Sequence, residues 1–210
     1  MQFRHEEQYR GREALQRLAE ARLVLCGAGA VGSNLADGLA RQGACFLRVV
    51  DLDRVEEGNL GTQLWTRDDV GAFKAEALRN HLFRAVGVEI DAVPKRLAEG
   101  NMRKLLAGAE LVIDGFDNSA SRRLVAEHCA GAGIPCLHVG LSAEYAEVLW
   151  NEGYRVSEDA GVDVCDYPLA RNLVQLAVAV AAETVIRFLT TGARENRTVT
   201  LRDFAVRAAE

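Results

Sequence analysis

RLVLCGAGAVGS, residues 22–33, combines three signals in a short space: an apolar run of strand length, a glycine turn, and the opening of a helix at about Ala30. Gly27, Gly29 and Gly32 stand in the G-x-G-x-x-G spacing. Between a strand and a helix, that spacing permits a tight turn and close backbone approach to a phosphate, with the helix amino terminus stabilising the anion. It marks a candidate nucleotide site. Asp51, at the end of the next apolar run CFLRVVDLD (45–53), suits bidentate hydrogen bonding to ribose hydroxyls. NAD and ATP both carry such a ribose, so these two strands do not separate a dehydrogenase from an ATP-using enzyme.

Outward from this unit the same alternation continues. Residues 12–21 read as a helix within an N-terminal helical segment (1–21), AFKAEALRNHLFRAV (72–86) as a helix, VEIDAV (88–93) and ELVIDG (110–115) as strands. SASRRLVAEHCAGAG (119–133) then reads as a helix and IPCLHVGL (134–141) as a strand. Strands alternating with helices of this length predict an α/β, Rossmann-like, doubly wound and mostly parallel sheet. Beyond it, AEVLW (146–150) is expected to add antiparallel, residues 151–171 to form an aperiodic crossover loop, 172–190 a long helix, and RTVTLRD (197–203) a last strand. With no internal repeat or linker in view, residues 1–210 are expected to form one domain.

Charge and cysteine usage exclude other classes. The chain carries a formal net charge of −5 with no long basic run, which argues against nucleic acid as a partner. Five cysteines, at 26, 45, 129, 136 and 165, form no Cys-x-x-Cys pair and suit a reducing cytosol. The charged start MQFRHEEQYRGRE is unlike a secretory signal, and the apolar stretch 172–189 contains Gln175, Glu183 and Arg187. A buried core helix therefore explains that stretch better than a membrane span, and a cytoplasmic location is expected.

The separating residues lie downstream. After Asp51 comes a loop with Asn59, Gln63 and Arg67, and then Lys74 opening a helix. Amide donors and cations of this kind suit a polyphosphate, and a helix-borne lysine can balance charge on a departing pyrophosphate. The plainer alternative is a solvated loop with a surface lysine. Asp117, just past the strand 110–115, points to the same crevice, because ligands of open parallel sheets sit outside the strands' carboxyl ends. A carboxylate beside a triphosphate is repelled unless a hard cation lies between them, so Asp117 is a candidate magnesium ligand on ATP. Its competing role is to cap the helix starting near Asn118, and the two roles are compatible. Asp114 reads as structural, and His128 and His138 as packing residues without zinc-ligand spacing.

GAGAVGS (27–33), DLDRVEEGNL (51–60), DVGAFKAEAL (69–78) and DGFDNSASRR (114–123), in this order and separation, resemble the adenylating domain of the ThiF/MoeB/HesA group, relatives of the ubiquitin-activating enzymes. The resemblance covers the chain from about residue 12 onward. It implies ATP- and magnesium-dependent adenylation of the C-terminal glycine of a ubiquitin-like or sulfur-carrier protein. It further implies a homodimer, and onward transfer to a cysteine, a conjugating enzyme or a sulfurtransferase. By position, Gly27, Gly29 and Gly32 would cradle phosphates and Asp51 would hold the ribose. Asn59, Gln63 and Lys74 would face the phosphates, and Asp117 would hold magnesium.

This chain departs from the group's pattern at three places. Thr62 stands where the group carries a phosphate-binding arginine, and a hydroxyl does not replace a guanidinium. Arg67, or Arg4 or Arg10 from the amino terminus, are the candidate substitutes, and a non-catalytic docking subunit is the alternative reading. The paired Cys-x-x-Cys motifs of many relatives are absent, so no zinc is expected. No separate cysteine domain is expected, which leaves Cys165 as the candidate nucleophile. The neighbouring Arg171 and helix amino terminus would lower its pKa, whereas Asp163 and Asp166 would raise it. An NAD-dependent oxidoreductase is the remaining rival. It would leave Lys74 and Asp117 without a purpose.

Overall fold

A computed structural model describes residues 2–156 and 168–209. Its strands are β1 (Arg22–Cys26), β2 (Phe46–Val50), β3 (Asp91–Val93), β4 (Leu111–Asp114), β5 (Cys136–Ser142), β6 (Tyr145–Trp150), β7 (Arg197–Thr200) and β8 (Val206–Ala208). They form one sheet in the order β3-β2-β1-β4-β5-β6-β7-β8. Pairings from β3 to β5 are parallel, and those from β5 to β8 are antiparallel. The chain first winds outward from β1 through β2 to β3, then returns to β4 on the opposite side. The topological switch, where such sheets bind ligands, therefore falls between β1 and β4.

Register aligns the carboxyl ends of the parallel strands. Cys26 lies opposite Val50 and Asp114, Val50 opposite Val93, and Asp114 opposite His138. The residues following this row form the crevice. Side chains alternate between two cores, as the period of two in a strand requires. Leu23, Leu25, Ile113, Leu137 and Val139 join one cluster. On that face lie α2 (Arg12–Glu20), α3 (Ala30–Arg41), α4 (Lys74–Val86) and α7 (Arg171–Thr191). Val24, Cys26, Val112 and Cys136 face the other cluster, under α5 (Glu99–Leu105) and α6 (Ser119–Ala132).

By length and composition α7 could cross a membrane, with a mean hydropathy of 1.7 over its most apolar window. In this fold it is a core helix. Leu173, Val174, Ala177, Ala181 and Val185 are buried in it, against α3 and the sheet.

Several boundaries differ from those expected. The N-terminal helical segment expected over 1–21 is two helices, α1 (Arg4–Arg10) preceding α2. Helix α1 buries no residue, so it has no apolar stripe to announce it. Polar contacts hold it: Arg10 pairs with Glu6 at 2.7 Å and with Glu183 of α7 at 2.8 Å. The stretch 94–109 holds α5, whose seven residues are too few to show a period. The expected strand 88–93 shrinks to Asp91–Val93, although Val88 and Ile90 are buried in the core. The expected strand 197–203 ends at Thr200, and the chain reverses into β8.

Candidate functional site

The crevice is built at the end of β1. Gly27 turns the chain with a φ of +95°, and its N–H donates to Val50 O at 2.9 Å. A Cβ on Gly27 would lie 3.0 Å from Gly115 O, so the turn is also pressed against the chain leaving β4. Gly32 has a packing reason of its own. A Cβ there would meet Gly27 O at 2.0 Å, so the third glycine lets the first turn of α3 pack under the loop.

A cleft of about 180 Å³ opens above this turn. It is lined by Gly27, Gly29, Asp51, Asp53, Lys74 and Asp117, among others. Asp51 is only 6 % exposed. Its Oδ2 accepts from Ala28 N at 2.6 Å and its Oδ1 from Asp53 N at 2.7 Å. Burial raises its pKa above the ordinary aspartate value, opposed by these backbone donors and by the nearby Lys74. A carboxylate offers about four lone-pair sites, so both oxygens retain capacity for ribose hydroxyls.

Lys74 is the first residue of α4 and 8 % exposed. Its backbone N–H is tied to Asp53 O at 2.8 Å and its Nζ lies 3.3 Å from Asp53 Oδ2. The cation is thus held at the cleft wall by a carboxylate that is itself largely exposed. Asp117 is exposed at the opposite lip, accepting from Asn118 Nδ2 at 3.3 Å. The capping role considered for it belongs to Asn118, whose side chain accepts from Ser121 N at 2.9 Å. Asp117 is therefore not the cap that starts α6.

Asn59, Gln63 and Arg67 are not among the cleft-lining residues. Asn59 Oδ1 accepts from Glu56 N, closing a 3₁₀ turn at Glu57–Gly61, and Gln63 Oε1 accepts from Trp65 Nε1 at 2.7 Å. Arg67 opens an exposed 3₁₀ turn at Arg67–Asp69. Arg10, a candidate substitute cation, is bound to Glu6, Glu183 and Gln42. Arg4 is exposed on α1. Cys165, together with Asp163 and Asp166, lies outside the described residues.

Two features were not anticipated. Lys95 and Arg96 follow β3 and line the cleft on the side of Asp51. A basic pair at the carboxyl end of a parallel strand is the signal that could have revealed them. The second feature is a closed polar cluster beyond β4. Asp114 and His138, both fully buried, meet at 2.8 Å between Oδ2 and Nδ1. His138 Nε2 faces Asn151 Oδ1 at 2.8 Å, and the Asn151 amide donates to Ala126 O. Tyr154 stacks on the imidazole with ring centroids 3.8 Å apart, and its hydroxyl accepts from Arg122 at 3.2 Å. Arg122 also donates to Val139 O and stands 3.9 Å from Asp114. His138 was expected to be a packing residue. It is instead the centre of this cluster, which only the tertiary pairing of β4 with β5 assembles.

Residues 4–200 match the ThiF family. The chain belongs to the ThiF family. Among curated relatives, it is 37 % identical over 131 residues to the SAMP-activating enzyme E1 of Haloferax volcanii, covering 61 % of this chain and 48 % of that protein. It is likewise 37 % identical over 128 residues to the sulfur carrier protein adenylyltransferase of Thermus thermophilus, covering 60 % and 47 %. This ThiF-family chain thus spans about half the length of the curated relatives it matches. Among solved structures, E. coli MccB crystallised with MccA-N7isoASN superposes with a TM-score of 0.83 at 17 % identity, covering 98 % of this chain and 69 % of that one. At that identity the likeness speaks for the fold, which agrees with the parallel sheet and antiparallel extension described above.

Proposed function

We propose that this chain uses ATP and magnesium to adenylate the C-terminal glycine carboxylate of a ubiquitin-like or sulfur-carrier protein. The observation that carries the reading is the convergence of Asp51, Lys74 and Asp117 on one cleft above the glycine turn. A hydride-transferring enzyme would have use for Asp51 alone. One curated relative is named as a SAMP-activating enzyme and another as an adenylyltransferase of a sulfur carrier protein, which agrees with this assignment.

In the proposed reaction a carboxylate oxygen of the substrate forms a bond to the α-phosphorus of ATP. The bond from that phosphorus to the bridging oxygen of the β-phosphate breaks, and pyrophosphate leaves with the electron pair. The attacking carboxylate is already ionised near neutral pH, so no general base is needed. The chain's contribution is position and charge. Asp51 would fix the ribose, Gly27 and Gly29 would admit the phosphates to the helix amino terminus, and Lys74 would offset charge at the transferring centre. Asp117 suits magnesium. It is an exposed oxygen donor at the cleft lip, and that ion takes one or two carboxylates with phosphates and water completing its shell. Magnesium would supply charge neutralisation across the phosphates. The free thiols Cys26, Cys45, Cys129 and Cys136 fit a reducing cytosol.

A second reading has its own observation. Thr62 is uncharged, and Asn59 and Gln63 are bonded within their own loop, which favours a non-catalytic subunit that docks a carrier protein or an active partner. Calorimetry of ATP with and without magnesium, set against NAD, on wild type and Asp117→Asn separates these readings. Magnesium-dependent ATP binding lost in Asp117→Asn, with ATP–pyrophosphate exchange on a candidate carrier protein, is the expected result. Preference for NAD, or ATP binding indifferent to magnesium and to Asp117, would overturn it. Binding without exchange on any carrier would favour the docking subunit.

A further inference from the structure

The cleft lining holds Asp51, Asp53 and Asp117 against Lys74, Lys95 and Arg96, so its own charges balance before any ligand enters. A triphosphate adds several negative charges, and one of the three cations, Lys74, already faces a carboxylate at 3.3 Å. Lys95 and Arg96 follow β3, on the side of the cleft where Asp51 would place the ribose. The far phosphates would instead leave the glycine turn along the first turn of α3, which calls for a cation on that side.

Outside the cleft lining, the first turn of α7 carries a cation beside the loop at residues 61–64. Arg171 Nη1 donates to Gly61 O at 3.3 Å, placing the guanidinium against the residue before Thr62. One helical turn later on the same face, Gln175 Nε2 donates to Asn34 Oδ1 at 3.0 Å. Asn34 Nδ2 in turn donates to Thr62 O at 3.0 Å and to Ala30 O at 2.7 Å. Ser33 Oγ accepts from Leu64 N at 3.2 Å and donates to Gly29 O at 2.7 Å. The start of α7, the loop at residues 61–64 and the helix turn that follows Gly29 are therefore one hydrogen-bonded body, with an exposed arginine on it. The bond to Gly61 O takes one of the five N–H donors of a guanidinium.

We propose that Arg171 is a phosphate-binding residue for the pyrophosphate end of the nucleotide, carrying the positive charge that residue 62 does not. The proposal rests on the adenylation reading and assigns the chain's own means of holding the leaving group. A purely structural arginine would clamp Gly61 and have no preference among nucleotides. A phosphate-binding one distinguishes ATP from AMP, which share base, ribose and α-phosphate.

The test is calorimetric titration of the full chain with magnesium–ATP and with AMP, for wild type, Arg171→Ala and the double variant Arg171→Ala, Thr62→Arg. Arg171→Ala is expected to weaken ATP by about ten- to a hundredfold, the range of a charge-assisted hydrogen bond, and to leave AMP unchanged. Thr62→Arg in that background is expected to restore ATP affinity, since it returns a guanidinium to the next residue along the same loop. Equal losses for ATP and AMP, or no loss for either, would overturn the assignment while leaving adenylation intact. If Arg171→Ala does not fold, Arg171→Lys is titrated instead: selective loss of ATP supports the proposal and parallel loss overturns it. A wild-type chain that fails to bind magnesium–ATP overturns the adenylation reading itself, and this inference with it.

Discussion

Asp51 and Asp114 sit at the carboxyl ends of β2 and β4, on either side of β1, yet they inhabit opposite chemical worlds. Asp51 accepts two backbone N–H groups and faces an open cleft beside Lys74. Asp114 is sealed, with His138 at 2.8 Å, Arg122 at 3.9 Å and Phe116 N at 3.1 Å around it. The register explains the difference. Asp51 lies one residue past the aligned row and turns into the crevice, whereas Asp114 is the last residue of β4 and points with Val112 into the second core. A carboxylate at a strand end thus faces an open cleft or a sealed core according to a single step along the strand.

The comparison breaks most visibly at Asp114. Asp114→Ala removes the partner of a buried histidine and arginine, and is expected to cost about 3–5 kcal/mol by urea unfolding. Nucleotide affinity should persist in the fraction that remains folded. An equally stable variant would show that the cluster is not held by this carboxylate. On the open side, Lys74→Ala is expected to lower pyrophosphate exchange by about two to three orders of magnitude, as for loss of a group aimed at developing charge. Its urea midpoint should move far less than that of Asp114→Ala.

Solution pH sharpens the contrast. Burial raises the folded pKa of Asp51, so the native state binds more protons than the unfolded chain between the ordinary aspartate value and the raised one. Its contribution to stability is therefore lost as pH rises through that window. ATP affinity should move the opposite way, increasing as the carboxylate ionises and accepts ribose hydroxyls. Asp51→Asn should flatten both slopes. The smallest effect is expected at Asn118, where Asn118→Ala removes the α6 cap for about 1 kcal/mol. Retention of magnesium-dependent ATP binding there would show that the neighbouring Asp117 acts on its own account.

Much of the open site was legible in the chain. The glycine spacing, Asp51 after the second strand, Lys74 at a helix start and Asp117 after the fourth strand are local signals, each tied to the end of an element that its own periodicity announces. The loop between Asn59 and Arg67 was less legible, because polar side chains in a loop can bond to one another as readily as to a ligand. Gln63 and Trp65 do so, as do Asn59 and Glu56. The helical segment 1–21 was expected, but its division into α1 and α2 at Gly11 was not, since ion pairs and no apolar stripe fasten α1.

By itself the sequence determined the doubly wound α/β class, the position of the glycine turn and the candidate groups that surround it, because hydrophobic period and turn chemistry are local properties. Only the tertiary structure decided that Asp114 and His138 are partners, that Gly32 serves packing, and that Arg171 lies beside Gly61, 110 positions earlier in the chain. Contacts of that kind depend on strand register and on how a distant helix docks. Such choices are made by the burial of whole elements, and no single residue records them.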